Sequence, residues 1–140
     1  MVEYIFDAEK SKEVFDISEK QIQVKQCYNN VFRVVTDNIH KFKSNQWRVA
    51  YGYTNILDNI LCRHCFILDE NNKVIDVTVY AKSTLDLDRK YYVMKIFEDI
   101  NTYFDAIEKD EFYPALEFYL RAENKKANEW AMQNGFILTG

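Results

Sequence analysis

Apolar residues recur at three- and four-residue spacing from Cys27 through Val31, Val34, Val35, Ile39 and Phe42, while Arg33, Asp37 and Lys41 fall on the opposite face. That period predicts an amphipathic helix from Cys27 to Phe42 with the cysteine in its first turn. Ser44-Asn45-Gln46 breaks it. Trp47, Val49, Tyr51 and Tyr53 then alternate with Arg48, Ala50 and Gly52, the period of a strand. Leu61 to Leu68 and Val74 to Tyr80 read as two further strands, parted by the turn-forming run Asp69-Glu70-Asn71-Asn72.

Weaker patterns flank this centre. Val2 to Phe6 suits a short strand, and Ser11 to Ser18 a short helix with Val14, Phe15 and Ile17 inward. Beyond a loop over Ser83 to Asp88, Tyr91 to Phe97 fits either a strand or a helix start. Ile100, Tyr103, Phe104 and Ile107 form one helical stripe, and Leu116, Tyr119 and Leu120 another. A last helix should pass Trp130 and Met132 and stop at Asn134-Gly135. The expected class is α+β: a small antiparallel sheet packed on an N-terminal Cys-bearing helix, with a helical C-terminal third.

Composition keeps this within one unit spanning 1–140. With 140 residues, 48% of them hydrophobic, the chain can bury a core without staples, and three Gly and one Pro leave little for linkers. The net charge of −4, with Lys and Arg dispersed among acids, disfavours a nucleic-acid partner. No apolar run is long enough for a membrane span and the start lacks a signal pattern, so a cytosolic protein is expected.

Three cysteines make no disulfide framework. A zinc site on Cys62-Arg63-His64-Cys65 would need a tight turn, because on a strand the two sulfurs point to opposite faces from α-carbons roughly 10 Å apart. No metal or other cofactor is expected.

One ordered trio carries chemistry: Cys27, then His64, then Asp76. A helix N-terminus favours a thiolate, a near-neutral imidazole can take and return its proton, and a carboxylate can fix the ring's tautomer. The same N-terminus, joined by a side-chain amide from Gln26 or Asn29, can receive an oxyanion. Strand parity sets a condition. A two-residue turn at Asn71-Asn72 sends His64 and Asp76 to opposite faces, whereas a loop of odd length, such as Leu68 to Asn72 with Phe66 opposite Val74, brings them to one face. Each residue also has a bland reading, as a core thiol, a satisfied strand histidine and a strand-ending acid.

With Cys27-Tyr28-Asn29-Asn30, Gly52-Tyr53, His64-Cys65-Phe66 and Asp76-Val77-Thr78, the chain resembles the papain-like and transglutaminase-like cysteine superfamily, and within it small bacterial and phage proteins with a Cys-Tyr-x-Asn, His and Asp-x-Thr pattern. Phe66 stands where those relatives carry tryptophan, and Val77 where they carry proline. The resemblance implies Cys27 as nucleophile, His64 as base, Asp76 as orienting acid, and Gln21, six residues before the cysteine, as oxyanion donor. It implies a hydrolase or acyltransferase working on an amide, isopeptide or thioester bond of a protein or peptide-like partner. Trp47, Tyr51, Tyr53 and Phe66 are the candidate cleft walls. A catalytically silent binding protein that keeps the fold is the alternative, and the oligomeric state stays open.

Overall fold

The computed structural model describes residues 1–81 and 88–140. The chain order is β1 (Val2–Tyr4), α1 (Ala8–Ser18), α2 (Cys27–Asp37), α3 (Ile39–Lys43), β2 (Arg48–Leu57), β3 (Ile60–Leu68), β4 (Val74–Ile75), β5 (Tyr91–Phe97), α4 (Ile100–Lys109), α5 (Arg121–Gln133) and β6 (Ile137–Thr139). The architecture is α+β. No described helix is long and apolar enough to cross a membrane. Of the loop expected over Ser83 to Asp88, all but Asp88 lies outside the described residues.

The sheet runs β1-β5-β2-β3-β4 with antiparallel neighbours, and β6 joins β3 in parallel. Just past β1, Phe6 bridges Val74 of β4; the Val74 N–H bonds the Ile5 carbonyl at 2.7 Å, and the Asp7 N–H bonds the Val74 carbonyl at 2.9 Å. The two ends of the sheet therefore meet, and it closes on itself. Inside lie Ala50, Phe66, Leu68, Val74, Tyr91 and Val93. Outside, Val49, Tyr51, Cys65 and Ile67 pack on Val31, Val34 and Val35 of α2 and on Tyr103 and Ile107 of α4. Burial of these apolar faces supplies most of the stabilisation, at about 25 cal/mol per Å² removed from water.

Glycine is required at one strand position. A Cβ on Gly52 would sit 1.9 Å from the Tyr92 carbonyl oxygen, where β2 and β5 slip register between Tyr51 and Gly52. Gly52 pairs with His64.

The β3–β4 loop has the odd length that the site requires, but its register differs from the one expected. Leu68 pairs with Val74 and Ile67 with Ile75, so the loop runs from Asp69 to Lys73. Asp69 sets it: the buried carboxylate accepts the N–H groups of Asn71 and Lys73 at 2.8 and 2.9 Å, while Asn72 takes a left-handed φ of 58°.

Four expectations about elements are corrected, and the one left open, at Tyr91 to Phe97, is resolved. The helix from Cys27 ends at Asp37, because the Asn38 side chain bonds the Val34 carbonyl at 2.9 Å, and a short α3 follows. The strand expected over Val74 to Tyr80 stops at Ile75, and Thr78–Ala81 forms a 3-10 turn. Leu116 and Leu120 are buried as expected, yet residues 110–120 are not helical; Pro114 interrupts them and Glu111, Phe112 and Leu116 have positive φ. Tyr91 to Phe97 is a strand. Ile17 points outward at 67% exposure, since Ser11, Val14, Phe15 and Ser18 make the inward stripe of α1.

Candidate functional site

The outer edge of β3 pairs with β4 at Ile67 and Leu68 and with β6 at Ile60 to Cys62. Between those contacts, residues 63–66 are left to α2, and there the sequence's trio comes together. Cys27 is the first residue of α2 and 8% exposed. His64 shares the inner face of the sheet with Phe66, whose ring stacks on the imidazole at 6.2 Å and 26°. Asp76 leaves the ladder directly after β4.

The carboxylate of Asp76 is fully engaged. Oδ2 lies 2.8 Å from His64 Nε2 and accepts the Tyr91 hydroxyl at 2.7 Å; Oδ1 accepts the Thr78 N–H at 3.1 Å. That last bond is an Asx turn, which explains why β4 ends where it does. The Asp76 N–H in turn bonds Ser11 Oγ at 3.0 Å, and that hydroxyl donates to the Asp7 carbonyl at 2.6 Å. The acid is thus tied to α1, to its own turn and to β5.

Burial by itself would keep His64 neutral. The charge and hydrogen bond of Asp76 outweigh it, the hydrogen bond and charge of Cys27 add to them, and the imidazole is pushed up to about 10. Burial likewise resists ionisation of Asp76, but His64, then Tyr91 and Arg89, hold its carboxyl below the usual range. With Nε2 committed to Asp76, Nδ1 is the ring nitrogen left for the thiol. Burial pushes the Cys65 thiol far up, as suits a core residue.

Asn30, one turn into α2, ties the start of that helix to the turn that follows Asp76. Its amide accepts the Gln23 N–H at 3.0 Å and donates to the Gln23 carbonyl at 2.8 Å and to Thr78 Oγ1 at 2.9 Å. Asn30 was visible in the Cys-Tyr-x-Asn run, though as a pattern without a role. Tyr91, Ser11 and Arg63 were missed; a tyrosine heading a strand and a serine inside a helix carry no local signal for a partner so distant in sequence.

The expected oxyanion side chains are placed elsewhere. Gln21 is exposed at the end of a 3-10 turn, and Gln26 and Asn29 are exposed and bond one another at 2.9 Å. None of the three lines the cavity at Cys27. The donors at hand are backbone groups. Asn30 is the first residue of α2 whose N–H bonds back into the helix, to the Gln26 carbonyl, and no side chain caps the end. The N–H groups of Cys27, Tyr28 and Asn29 therefore stand at the positive end without an intrahelical acceptor.

The candidate cleft walls are corrected as well. Trp47 is buried edge-on against Phe42, Tyr51 stacks on Tyr28 under α2, Tyr53 packs with Leu61 and Tyr92, and Phe66 supports the imidazole from inside. The observed cavity, about 320 Å³, is lined instead by Lys25, Thr54, Ile56, Cys62, Thr78 and Arg89 together with Cys27, Arg63 and His64. Leu61 to Cys65 is a strand, so Cys62 and Cys65 face opposite ways. Among the described residues no three His, Cys, Asp or Glu side chains gather as a metal site.

No protein-family model, curated protein or solved structure matches the chain.

Proposed function

We propose that the protein is a cysteine hydrolase or acyltransferase of papain-like or transglutaminase-like type, acting on an amide, isopeptide or thioester bond. The observation that carries this reading is the buried His64–Asp76 pair with Cys27 beside the imidazole at the uncapped start of α2. A structural ion pair alone needs no thiol beside its imidazole and no cavity in front of it.

The chemistry follows from those positions. A cationic imidazole and a helix N-terminus both favour the thiolate form of a neighbouring cysteine. The Cys27 sulfur attacks the carbonyl carbon, and the carbonyl π electrons move onto oxygen, where the N–H groups of the first turn stabilise the developing charge. The C–N, or C–S, bond then breaks as His64 gives its proton to the leaving group, and the acyl group remains on sulfur. Water or an amine, deprotonated by His64, attacks the thioester and restores the thiol. Asp76 fixes the ring through Nε2 and stabilises the imidazolium without taking its proton.

Acyl trapping tests the reading. With p-nitrophenyl acetate, the wild type should release a burst of one equivalent of nitrophenolate and carry one acetyl group on Cys27, and Cys27→Ala should do neither. Acetylation spread over lysines, with no burst, would refute the assignment. A second reading, a silent binding protein, is favoured by the exposed Phe112, Tyr113 and Phe118, at 74%, 67% and 78%. It predicts a folded protein with an unacylated Cys27.

A further inference from the structure

The charge balance of the site is unusual. Three of the described residues that line the cavity are permanent cations, Lys25, Arg63 and Arg89, and none is a carboxylate. Asp76 is paired with His64. Even with the thiol ionised, two positive charges remain uncompensated among the described residues.

Arg63 makes the imbalance costly. It is 7% exposed, yet each of its hydrogen bonds goes to a neutral group: Nη1 to the Tyr28 hydroxyl at 3.0 Å and the Ala115 carbonyl at 2.8 Å, Nε to Asn124 Oδ1 at 3.2 Å. Its guanidinium lies over the rings of Tyr28 and Tyr51, at 5.5 and 5.9 Å. Nη2 has no partner among the described residues, and neither has Arg89 Nε. Buried charges are ordinarily paired, because removing an unpaired ion from water costs several kcal/mol.

We infer that the counter-charge belongs to the substrate, so that the acyl donor carries an anionic group, a carboxylate or phosphate, near the carbonyl that Cys27 attacks. The inference rests on the nucleophile reading above and narrows it to a substrate class. Lys25 suits the entrance. It is exposed, and its left-handed φ of 60° turns the chain just before α2. Arg89 approaches from the segment leading into β5. An anion held there would face the helix N-terminus as well, and its affinity would fall with salt.

Two alkylating reagents of nearly equal shape isolate the effect. Iodoacetate and iodoacetamide each form an S–C bond at the thiolate and release iodide, and differ in carrying a carboxylate or a neutral amide. Rates at Cys27 are read by site-resolved mass spectrometry on the full chain, and the iodoacetate-to-iodoacetamide ratio is divided by the same ratio for glutathione. We expect a normalised ratio of about ten or more, the low end of electrostatic focusing in a cleft. In Lys25→Gln/Arg89→Gln, which removes two of the three cations that line the cavity, it should fall at least about threefold. A normalised ratio near one overturns the inference and leaves the nucleophile in place. A raised ratio that the double variant does not change also overturns it, since the imidazolium alone would then be the attraction. Should Cys27 resist both reagents while Cys62 reacts, the nucleophile reading fails and the inference falls with it.

Discussion

Replacing Asp76 with asparagine should reverse the direction in which stability changes with pH. In the wild type His64 is buried and raised from 6.5 to about 10, which corresponds to stabilisation on the order of 5 kcal/mol. Below 6.5 both folded and unfolded chains hold the proton, and the pair contributes in full. Above 6.5 the unfolded chain releases it and the folded chain keeps it, so stability falls by about 1.4 kcal/mol per pH unit until the folded imidazole titrates near 10. On the acid side Asp76, held below 3.8, contributes above 3.8 and loses its share as pH drops through its folded value. Asp76→Asn removes the charge but keeps the size. It should cost about 3–5 kcal/mol near pH 6, the usual penalty for stripping one partner from a buried pair. Burial then dominates at His64 and favours the neutral ring, so the variant should gain stability from pH 5 to 7 where the wild type gains none. Urea midpoints followed by tryptophan fluorescence, taken at half-unit steps from pH 5 to 9.5, give both slopes. A wild-type-minus-variant difference that does not change with pH would show that the pair carries no proton linkage.

Three further variants probe the scaffold. Asn30→Ala removes two hydrogen bonds from α2 to Gln23 in the segment before it and one to Thr78, and should cost about 2–3 kcal/mol in urea denaturation and slow Cys27 alkylation; unchanged values for both would show that Asn30 does not hold the site. Gly52→Ala pushes a methyl into the Tyr92 carbonyl and should cost about 3 kcal/mol or more, with loss of the β2–β5 amide protection seen by hydrogen exchange; a neutral substitution would contradict that packing. Gln21→Ala should leave acyl turnover unchanged, because the side chain is exposed away from the cavity; a fall in turnover at constant KM would restore its oxyanion role.

What the sequence made legible is what depends on short-range periodicity. The 3.6-residue period identified Val31, Val34 and Val35 as the buried stripe of α2, the two-residue period identified β2, and an apolar run bounded by a turn identified β3. Strand parity correctly required an odd loop for His64 and Asp76 to share a face, although the register itself depended on how the buried Asp69 carboxylate folds its own loop. Closure of the sheet through Phe6 and Val74 joins residues far apart in the chain, which no local pattern encodes. The aromatic residues of β2 were misread for a related reason. Alternation shows that Tyr51 and Tyr53 share a face, but not that α2 and α5 cover it. Asp76 likewise ends β4 through its own side chain, a bond that depends on the turn it creates.

The central claim is that Cys27 is a nucleophile made reactive by His64, and relative thiol reactivity tests it most directly. Cys62 is the more exposed of the two thiols at the cavity, and exposure alone would make it react first. Site-resolved iodoacetamide labelling of the native protein at neutral pH should instead modify Cys27 first, with Cys65 untouched. In His64→Gln the Cys27 rate should drop by about a hundredfold, the scale of a positioned acid-base group, while the Cys62 rate holds. Labelling of Cys62 ahead of Cys27, or a Cys27 rate indifferent to His64, would contradict the account.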